Sequence, residues 1–248
     1  MDRIKLINEI FKKTNFKNYL EIGCSTGGSF LPVKAKNKTA IDPYFKVPLR
    51  RKIKWRILVP ENSNNKYFEE ESDTFFHKRK EYLIGLGKLD LVLVDGLHTF
   101  RASLSDVLNS LQYLNKNGII IMHDCFPPNA AAALPTGNYP KPEEVEGIEG
   151  WTMEWCGDVW KTIVYLREKY NASLDICVID TDYGLGIVRP KGNIDADELV
   201  IDEKLFSRIN NLTYDEMIKD PVSIMNLKDQ QYSATLVNEI SGSTTRIK

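Results

Sequence analysis

Residues 18–29 read Asn-Tyr-Leu-Glu-Ile-Gly-Cys-Ser-Thr-Gly-Gly-Ser, and Thr-Ala-Ile-Asp-Pro follows at 39–43. An apolar strand that runs into a glycine turn, followed by a strand that ends in a carboxylate, is typical of doubly wound sheets that bind an adenosine group. The glycines let the backbone approach the ligand, and Asp42 is positioned to accept hydrogen bonds from the two ribose hydroxyls. The pattern therefore predicts an α/β fold with an adenosine site at the carboxyl ends of its strands.

The glycine turn lacks the residues that proteins use to hold a phosphate chain. It contains neither Gly-x-Gly-x-x-Gly, which binds a pyrophosphate, nor Gly-Lys-Ser/Thr, which binds a triphosphate. A nucleoside with few phosphates fits such a turn better, and S-adenosylmethionine is the commonest one. A nicotinamide-dependent oxidoreductase, which needs the pyrophosphate glycines, is disfavoured.

The composition excludes two classes of partner. Of 248 residues, 42% are hydrophobic and 27% are charged, and 33 basic and 34 acidic residues leave a net charge of −1. Because phosphate contacts require a concentrated positive surface, we expect no nucleic-acid partner. No run approaches the roughly 18 apolar residues of a membrane span, so we expect no membrane partner either.

The cysteines favour a reducing compartment. None of them has Cys-x-x-Cys spacing, and two of them lie in motif turns, so we expect four free thiols: Cys24, Cys125, Cys156 and Cys177. The first residues, Met-Asp-Arg-Ile-Lys, carry no apolar signal region. A cytoplasmic location is the resulting expectation.

Hydrophobic patterning predicts that strands alternate with helices over most of the chain. Strands are expected at 19–22, 39–41, 66–71, 89–95, 119–122, 174–179 and 185–188. Helices are expected at 2–13, from 73 after a cap at Ser72, at 100–114, at 158–169 and within 195–237. A basic, proline-containing connection is expected at 45–60, a turn at 117–118 and a hairpin turn at 180–184. This alternation predicts a doubly wound, mostly parallel, seven-stranded sheet with right-handed crossovers.

Two segments fall outside this alternation. Residues 126–157 are rich in proline, glycine and alanine and show no strong periodicity. A connection of this length that leaves the ligand-binding edge of a sheet is expected to form a lid. We therefore assign 1–190 to a ligand-binding domain with a lid insertion, and 191–248 to a peripheral helical extension whose last eight residues are loose.

Together these segments resemble the class I S-adenosylmethionine-dependent methyltransferases. More narrowly, they are similar to bacterial O-methyltransferases of the macrocin and mycinamicin type, which act on the sugars of antibiotics and glycans. The resemblance covers residues 18 to about 188, and the motifs that carry it are Leu-Glu-Ile-Gly-Cys-Ser-Thr-Gly-Gly (20–28), Ala-Ile-Asp-Pro (40–43), Glu-Ser-Asp-Thr-Phe-Phe (71–76), Leu-Val-Asp-Gly-Leu-His (93–98), Ile-Met-His-Asp-Cys-Phe-Pro (121–127) and Gly-Asp-Val-Trp-Lys (157–161). It implies a Rossmann-like methyltransferase fold and S-adenosylmethionine as cofactor.

The resemblance also implies a set of cofactor-binding residues. Around the methionine end of the cofactor it places the residues of the first motif, namely Glu21, Gly23, Cys24, Ser25 and Gly27. It places Asp42 at the ribose and both Ser72 and Asp73 beside the adenine. Asp95, at the tip of the fourth strand, would reach both the cofactor and the acceptor.

Methyl transfer to an alcohol requires a base, because a hydroxyl is a poor nucleophile at neutral pH. Of the three histidines, His77 lies in a polar stretch typical of a solvated helix face, whereas His98 and His123 follow the two central strands. In the family that this chain resembles, the residue at His98 is the proposed general base and the residue at Asp95 is a magnesium ligand. An alternative for His98 is a purely structural, hydrogen-bonded histidine.

The second metal-binding element of that family is an acidic pair after the fifth strand. Here Asp124 matches the pair and His123 departs from it. An imidazole beside two carboxylates suits Mn²⁺, Fe²⁺ or Zn²⁺ better than Mg²⁺, although water and substrate hydroxyls could complete an octahedron around Mg²⁺. We therefore expect a divalent ion, Mg²⁺ or Mn²⁺, at Asp95, Asp124 and His123. Alternatively, His123 orients Asp95 or the lid.

Residues at and after the end of the lid are candidates for acceptor binding. Trp155 could pack against a sugar ring or merely seal the core of the loop. Asp158 could line the acceptor site or cap the helix that follows it. Lys161 could meet an anionic acceptor.

The leading hypothesis is an O-methyltransferase that acts on a hydroxyl of a sugar or a glycosylated small molecule, so that the partner is a small-molecule or glycan acceptor. One alternative is a methyltransferase of the same fold for a phosphate, carboxylate or phenol. Another is a non-catalytic protein that binds S-adenosylmethionine. Neither the acceptor nor a homo-oligomeric state is encoded in a recognisable motif.

Overall fold

Eight strands form one sheet in the computed structural model, which describes residues 1–245. The strands are β1 (Asn18–Ile22), β2 (Asn37–Ile41), β3 (Lys66–Phe68), β4 (Leu89–Val94), β5 (Leu114–Met122), β6 (Leu174–Ile179), β7 (Leu185–Pro190) and β8 (Leu227–Lys228). The helices are α1 (Arg3–Lys13), α2 (Leu49–Leu58), α3 (Ser72–Lys78), α4 (Lys80–Leu86), α5 (Phe100–Tyr113), α6 (Pro142–Val145), α7 (Trp160–Lys169), α8 (Glu203–Asn210), α9 (Tyr214–Lys219), α10 (Pro221–Met225) and α11 (Tyr232–Thr245). The expected Rossmann-like α/β fold is confirmed.

The strand order places a ligand crevice at the centre of the sheet. The order is β3-β2-β1-β4-β5-β7-β6-β8, so the chain leaves β1 toward one edge and returns at β4 toward the other. In open α/β sheets, this switch point is where ligands bind, outside the carboxyl ends of the strands. The crevice therefore lies beyond β1 and β4.

The expected sheet of seven mostly parallel strands is wrong in the number of strands and partly right in their direction. The sheet has eight strands, because the extension adds the two-residue strand β8 beside β6. Strand β7 runs antiparallel to both of its neighbours, β5 and β6, because the short connection between β6 and β7 forms a hairpin. The parallel part is thus β1 to β5, together with the β6–β8 pair.

The alternation of side chains in the central strands divides the core into two layers. Every residue of β4 is buried. Val92 belongs to one hydrophobic cluster, with residues of α5 and α7, whereas Leu91 belongs to a second cluster, with residues of α1 and α11. Successive side chains of a strand point to opposite faces, so a strand covered on both faces is apolar throughout.

Several element boundaries differ from the predictions. The connection at 45–60 contains α2, a helix with no buried side chain and hence no apolar periodicity toward the core. The expected turn at 117–118 lies inside β5, which starts at Leu114 and shifts register opposite β4 between Leu89 and Leu91. Strand β3 is shorter than expected, and Ser72 is the first residue of α3 rather than its cap.

The C-terminal extension contacts both the sheet and the core. Strand β8 pairs with β6, and α11 packs against α1 through Leu236, Val237 and Ile240. Of the final segment expected to be loose, residues 241–245 continue α11, and 246–248 lie outside the described residues. The four cysteines are free thiols. Within residues 1–245, no helix combines the length and the apolar character that crossing a bilayer requires.

Candidate active site

The carboxyl ends of the three central parallel strands bring the predicted motifs together. The amide of Asp95 donates to the carbonyl of Ile22, and the amide of His123 donates to the carbonyl of Val94. These two bonds extend the sheet ladder one residue past β4 and β5. As a result, the side chains that follow the strands share one edge, as the sequence predicted.

A cavity of about 990 Å³ lies over this edge. Of the nine residues expected to bind the cofactor, seven line it: Gly23, Cys24, Ser25, Asp42, Ser72, Asp73 and Asp95. Gly27 and Glu21 do not. Gly27 shapes the turn, with its amide donating to the carbonyl of Cys24.

Glu21 lies behind the cavity wall. Its carboxylate accepts hydrogen bonds from the Tyr19 hydroxyl at 2.5 Å and the Ser29 hydroxyl at 2.6 Å. Complete burial raises the pKa of Glu21 to about 7, although both hydrogen bonds oppose this shift. Ser29 lines the cavity, so Glu21 acts on the pocket through the residues it orients.

The backbone of the glycine turn requires glycine where it approaches the fourth strand. Gly23 has a φ of +87°, and a Cβ there would lie 1.9 Å from the carbonyl oxygen of Asp95. Beyond it, the amide of Ser25 donates to Asp42 Oδ2 at 2.6 Å, and the amide of Tyr44 donates to Oδ1 at 2.7 Å. Each carboxylate oxygen retains a second lone pair for a ligand. Asp42 is thus held in the orientation that a diol-binding carboxylate needs.

Asp106, on α5, is a cavity residue that sequence reasoning missed. It lines the cavity near Ser72, and its Oδ1 has no hydrogen-bond partner within the described structure. Burial raises the pKa of Asp106 to about 7. A signal exists in the sequence: Ser103, Asp106 and Ser110 recur at helical spacing and are all buried.

The ring of His98 is oriented by the lid. His98 Nδ1 lies 2.8 Å from the carbonyl oxygen of Trp155, and the two rings stack with centroids 5.2 Å apart. Because a carbonyl only accepts, this contact assigns the proton to Nδ1 in the neutral ring. Nε2 then faces Asp124 Oδ2 at 3.2 Å and Asp95 Oδ1 at 3.7 Å.

Two neighbouring carboxylates determine the basicity of His98. Burial by itself would lower the pKa of His98, but hydrogen bonding to Asp95 and the charges of Asp124 and Asp95 outweigh it and raise the pKa above the usual value of 6.5. For Asp95 the balance is the opposite. Burial by itself would raise the pKa of its carboxyl, but hydrogen bonds from His123 and His98 favour the ionised form, and the net effect lowers the pKa. The site thus keeps the carboxylate charged and makes the imidazole a stronger base.

His123 lies deeper than His98 and faces the same carboxylates. Its Nδ1 is 2.8 Å from Asp124 Oδ2 and 3.3 Å from Asp95 Oδ1, and its side chain is buried. Its Nε2 lies 2.7 Å from Nη1 of Arg3. Since a guanidinium only donates, Nε2 accepts and Nδ1 carries the proton. This arrangement fits the alternative in which His123 orients Asp95.

Arg3 was absent from the predicted site. Its Nη1 donates to Asp182 Oδ2 at 2.9 Å, and its Nη2 lies 3.5 Å from Asp95 Oδ2. Burial would lower the pKa of the Arg3 guanidinium, and the nearby carboxylates raise it. Arg3 opens α1, where the helix dipole disfavours a cation. An arginine at this unfavourable position indicates that the residue is needed for contacts outside its own helix.

The lid segment closes one side of a second, smaller cavity of about 230 Å³. Trp155 lines it together with His98, His123 and Asp124, and Tyr183 completes the wall. The indole of Trp155 donates to the carbonyl of Leu134, and this hydrogen bond fixes the orientation of the ring. The two cavities share Arg3, Asp95 and His98.

Asp158 and Lys161 line neither cavity. Asp158 Oδ1 accepts from the amide of Phe100 at 2.6 Å, so it satisfies the first amide of α5, whose N-cap is Thr99. It does not cap α7, which begins at Trp160 after Val159. Lys161 is buried, lies 3.5 Å from Asp158 Oδ2 and donates to the carbonyl of Asn210. Both residues join helices, and these contacts favour structural roles over acceptor binding.

Three of the site's oxygen and nitrogen atoms can converge on one cation. One ligand atom each from Asp95, His98 and Asp124 lie within 4.8 Å of one another. This set includes His98, whereas the sequence predicted His123 as the nitrogen ligand. Carboxylate and imidazole donors in this number suit Mn²⁺ or, with water, Mg²⁺.

Comparison with solved structures shows the same fold in known methyltransferases. The methyltransferase PaMTH1 of Podospora anserina, solved with S-adenosylhomocysteine, is 21% identical, with 75% of this chain and 76% of that chain covered at a TM-score of 0.50. A putative caffeoyl-CoA O-methyltransferase of Staphylococcus aureus is 14% identical, with coverage of 77% and 84% and a TM-score of 0.52. The O-methyltransferase TomG of Streptomyces achromogenes, solved with S-adenosylmethionine, is 10% identical, with coverage of 77% and 80% and a TM-score of 0.52.

The sequence itself matches one family model. Residues 20–125 match a model described as "Methyltransferase domain", and this segment holds Asp42, Asp95, His98, His123 and Asp124. No curated protein matches the sequence. The predicted enzyme class, a methyltransferase, is thereby confirmed: residues 20–125 match a methyltransferase domain, and the chain has the fold of known methyltransferases.

Proposed function

We propose that this protein is an S-adenosylmethionine-dependent O-methyltransferase that methylates a hydroxyl of a sugar or a glycosylated small molecule. The observation that carries the proposal is the orientation of His98. The lid carbonyl of Trp155 fixes Nδ1, so that Nε2 lies at the junction of the two cavities, beside Asp95. An imidazole with a raised pKa in that position is suited to remove a hydroxyl proton.

The larger cavity suits the proposed cofactor. The charged side chains that line it are mostly carboxylates, as a ligand with a sulfonium and an ammonium group requires. Asp42 offers its remaining lone pairs to a ribose diol, and the tight turn at Gly23 allows the backbone to approach the ligand. When bound, S-adenosylmethionine supplies an activated methyl group with a good leaving group.

The chain's own residues then have two tasks. His98 accepts the proton of the acceptor hydroxyl at Nε2, and the resulting imidazolium is stabilised by the carboxylates of Asp95 and Asp124. Trp155 presents an aromatic face in the smaller cavity, where it can pack against the acceptor and exclude water. Specificity for a sugar would come from the contact between Trp155 and the sugar ring.

A divalent ion fits the donor atoms of the site. Two carboxylates and an imidazole face one another, and Arg3 is the one lysine or arginine among the described residues that line the smaller cavity. Asp95 and Asp124 would hold the ion, and it would act as a Lewis acid that lowers the pKa of a bound hydroxyl. In that arrangement His98 serves either as the base or as a third ligand.

Replacing one carboxylate at a time tests whether Mn²⁺ binds at a specific site or is attracted by negative charge in general. We expect Asp124→Asn to weaken Mn²⁺ binding at least about tenfold, because the buried carboxylate is replaced by a neutral, weaker ligand. Mn²⁺ binding to metal-free protein would be followed by electron paramagnetic resonance. Asp73→Asn is the matched control, since Asp73 is exposed and belongs to the cofactor cavity. Equal affinities in the two variants would contradict the metal assignment.

The reaction is tested by product formation. The enzyme would be incubated with methyl-¹³C-labelled S-adenosylmethionine, with or without Mn²⁺, and with methyl glycosides, a phenol, a carboxylate or inorganic phosphate. We expect labelled methyl ethers of the glycosides, detected by mass spectrometry, and no label in fully O-methylated glycosides. Labelling confined to the phenol, carboxylate or phosphate would favour the alternative acceptors. Cofactor binding without any labelled product would favour a non-catalytic role.

A further inference from the structure

Among the described residues, the charged side chains that line the cofactor cavity are nearly all acidic. Seven carboxylate side chains line it: Asp2, Asp42, Glu71, Asp73, Asp95, Asp106 and Asp182. Within the described part of the chain, Arg3 is the one lysine or arginine side chain in this lining. S-adenosylmethionine carries two positive groups and one carboxylate. Its positive groups match the acidic wall, and its carboxylate has one charged partner available.

The guanidinium of Arg3 is only partly used by its protein neighbours. Nη1 is engaged with Asp182 and His123. Nη2 lies 3.5 Å from Asp95 Oδ2, beyond the usual length of a hydrogen bond, and Nε has no hydrogen-bond partner among the described residues. Because Nε is also buried, Nη2 is the donor of Arg3 that is short of an acceptor and left for a ligand. A guanidinium donor matches a carboxylate in charge and geometry.

Arg3 also lies at the appropriate end of the cavity. Its Nη2 is next to Asp95, whose backbone carbonyl contacts the turn at Gly23. This turn is where the family resemblance puts the methionine end of the cofactor. We propose that Arg3 binds the α-carboxylate of the methionine moiety, an inference that rests on the proposed use of S-adenosylmethionine.

The N-terminal helix holds Arg3 in place for this role. Leu6, Ile7 and Ile10 anchor α1 in the core, and the backbone amide of Arg3 donates to Asp182 Oδ2 at 2.9 Å. The same carboxylate accepts from Nη1, so Asp182 fixes both ends of the residue. A fork that is already oriented loses little conformational entropy when a ligand binds.

Two ligands that differ only in the carboxylate test this inference. S-adenosylhomocysteine and its decarboxylated analogue would be titrated calorimetrically into the full-length wild-type protein, Arg3→Met and Lys12→Met. We expect Arg3→Met to bind S-adenosylhomocysteine about 10- to 100-fold more weakly, the range for hydrogen bonds to a charged group, and to bind the analogue as the wild type does. Lys12→Met removes an exposed charge from the same helix and should change neither affinity.

The outcomes separate the inference from the proposed function. If Arg3→Met weakens both ligands equally, or if the wild type binds both equally well, the carboxylate assignment fails while cofactor binding stands. If the wild type binds neither ligand, the proposed function fails as well. Arg3→Lys provides a second variant should Arg3→Met not fold: it retains the charge without the fork, and an intermediate preference for S-adenosylhomocysteine over the analogue supports the assignment. A loss of acceptor affinity with unchanged S-adenosylhomocysteine binding would assign Arg3 to the acceptor and overturn the inference.

Discussion

His98→Gln is expected to lower kcat by about 10²- to 10⁴-fold, the usual contribution of a general base. Glutamine retains a polar side chain near Asp95 and Asp124 but cannot take a proton. The affinity for S-adenosylhomocysteine should stay close to that of the wild type, because the cofactor cavity depends on the glycine turn and Asp42. Single-turnover kinetics and calorimetry would measure the two quantities separately. His77→Gln, which alters an exposed histidine on α3, is the matched control.

The pH dependence of the reaction provides a second test of His98. A general base works only when it is deprotonated, so kcat should fall as the pH decreases through the pKa of His98. That pKa lies above the usual 6.5 because Asp95 and Asp124 favour the imidazolium despite burial. Measured without a divalent ion, whose charge would offset that of the two carboxylates, the acid limb of the wild-type profile should therefore lie above pH 6.5. It should be missing in the residual activity of His98→Gln.

Metal binding distinguishes the two roles that the geometry allows for His98. If His98→Gln weakened Mn²⁺ binding as strongly as Asp124→Asn, His98 would be a ligand and not the base. Full turnover in His98→Gln would instead support an acidic acceptor, which needs little help to lose its proton. Either result would contradict the role proposed for this residue.

The strand ends explain why much of the site could be predicted from sequence. Asp42, Asp95 and Asp124 each lie within two residues of the end of a strand whose last residues are apolar. In parallel strands, residues just past the carboxyl ends necessarily share an edge, so local patterns are sufficient to bring them together. The fold and the acidic edge were predictable for this reason.

Other parts of the site depend on contacts between distant segments. Arg3 meets Asp182 across 179 positions in the chain, and Trp155 meets His98 across 57. No local periodicity encodes such pairs, since each depends on how a helix or loop docks on the finished sheet. Lys161 shows the same dependence: its position after a lid motif suggested the site, whereas its observed ion-pair partner is Asp158.

Gly157 joins the proposed lid to His98, the proposed base, and Gly157→Ala is expected to separate them. Gly157 has a φ of +62°, and a Cβ there would lie 1.8 Å from the carbonyl oxygen of His98. Its amide and that of Cys156 both donate to the carbonyl of Ala132, so these bonds join the end of the lid to an earlier part of the same segment. An added methyl group must therefore displace the backbone of His98 or detach the lid.

We expect Gly157→Ala to lower kcat about 100-fold, the scale of loss for an approximately 1 Å misplacement of a reacting group. Gly147→Ala is the matched control: Gly147 also lies in the lid with a φ of +74°, but a Cβ there meets no atom within 4 Å. Both variants carry the backbone cost of a side chain at positive φ, which thermal unfolding would measure. Only the first variant presses on His98. Equal activities in the two variants would mean that the position of His98 does not limit the reaction, and the base would have to be sought elsewhere along the edge of the sheet.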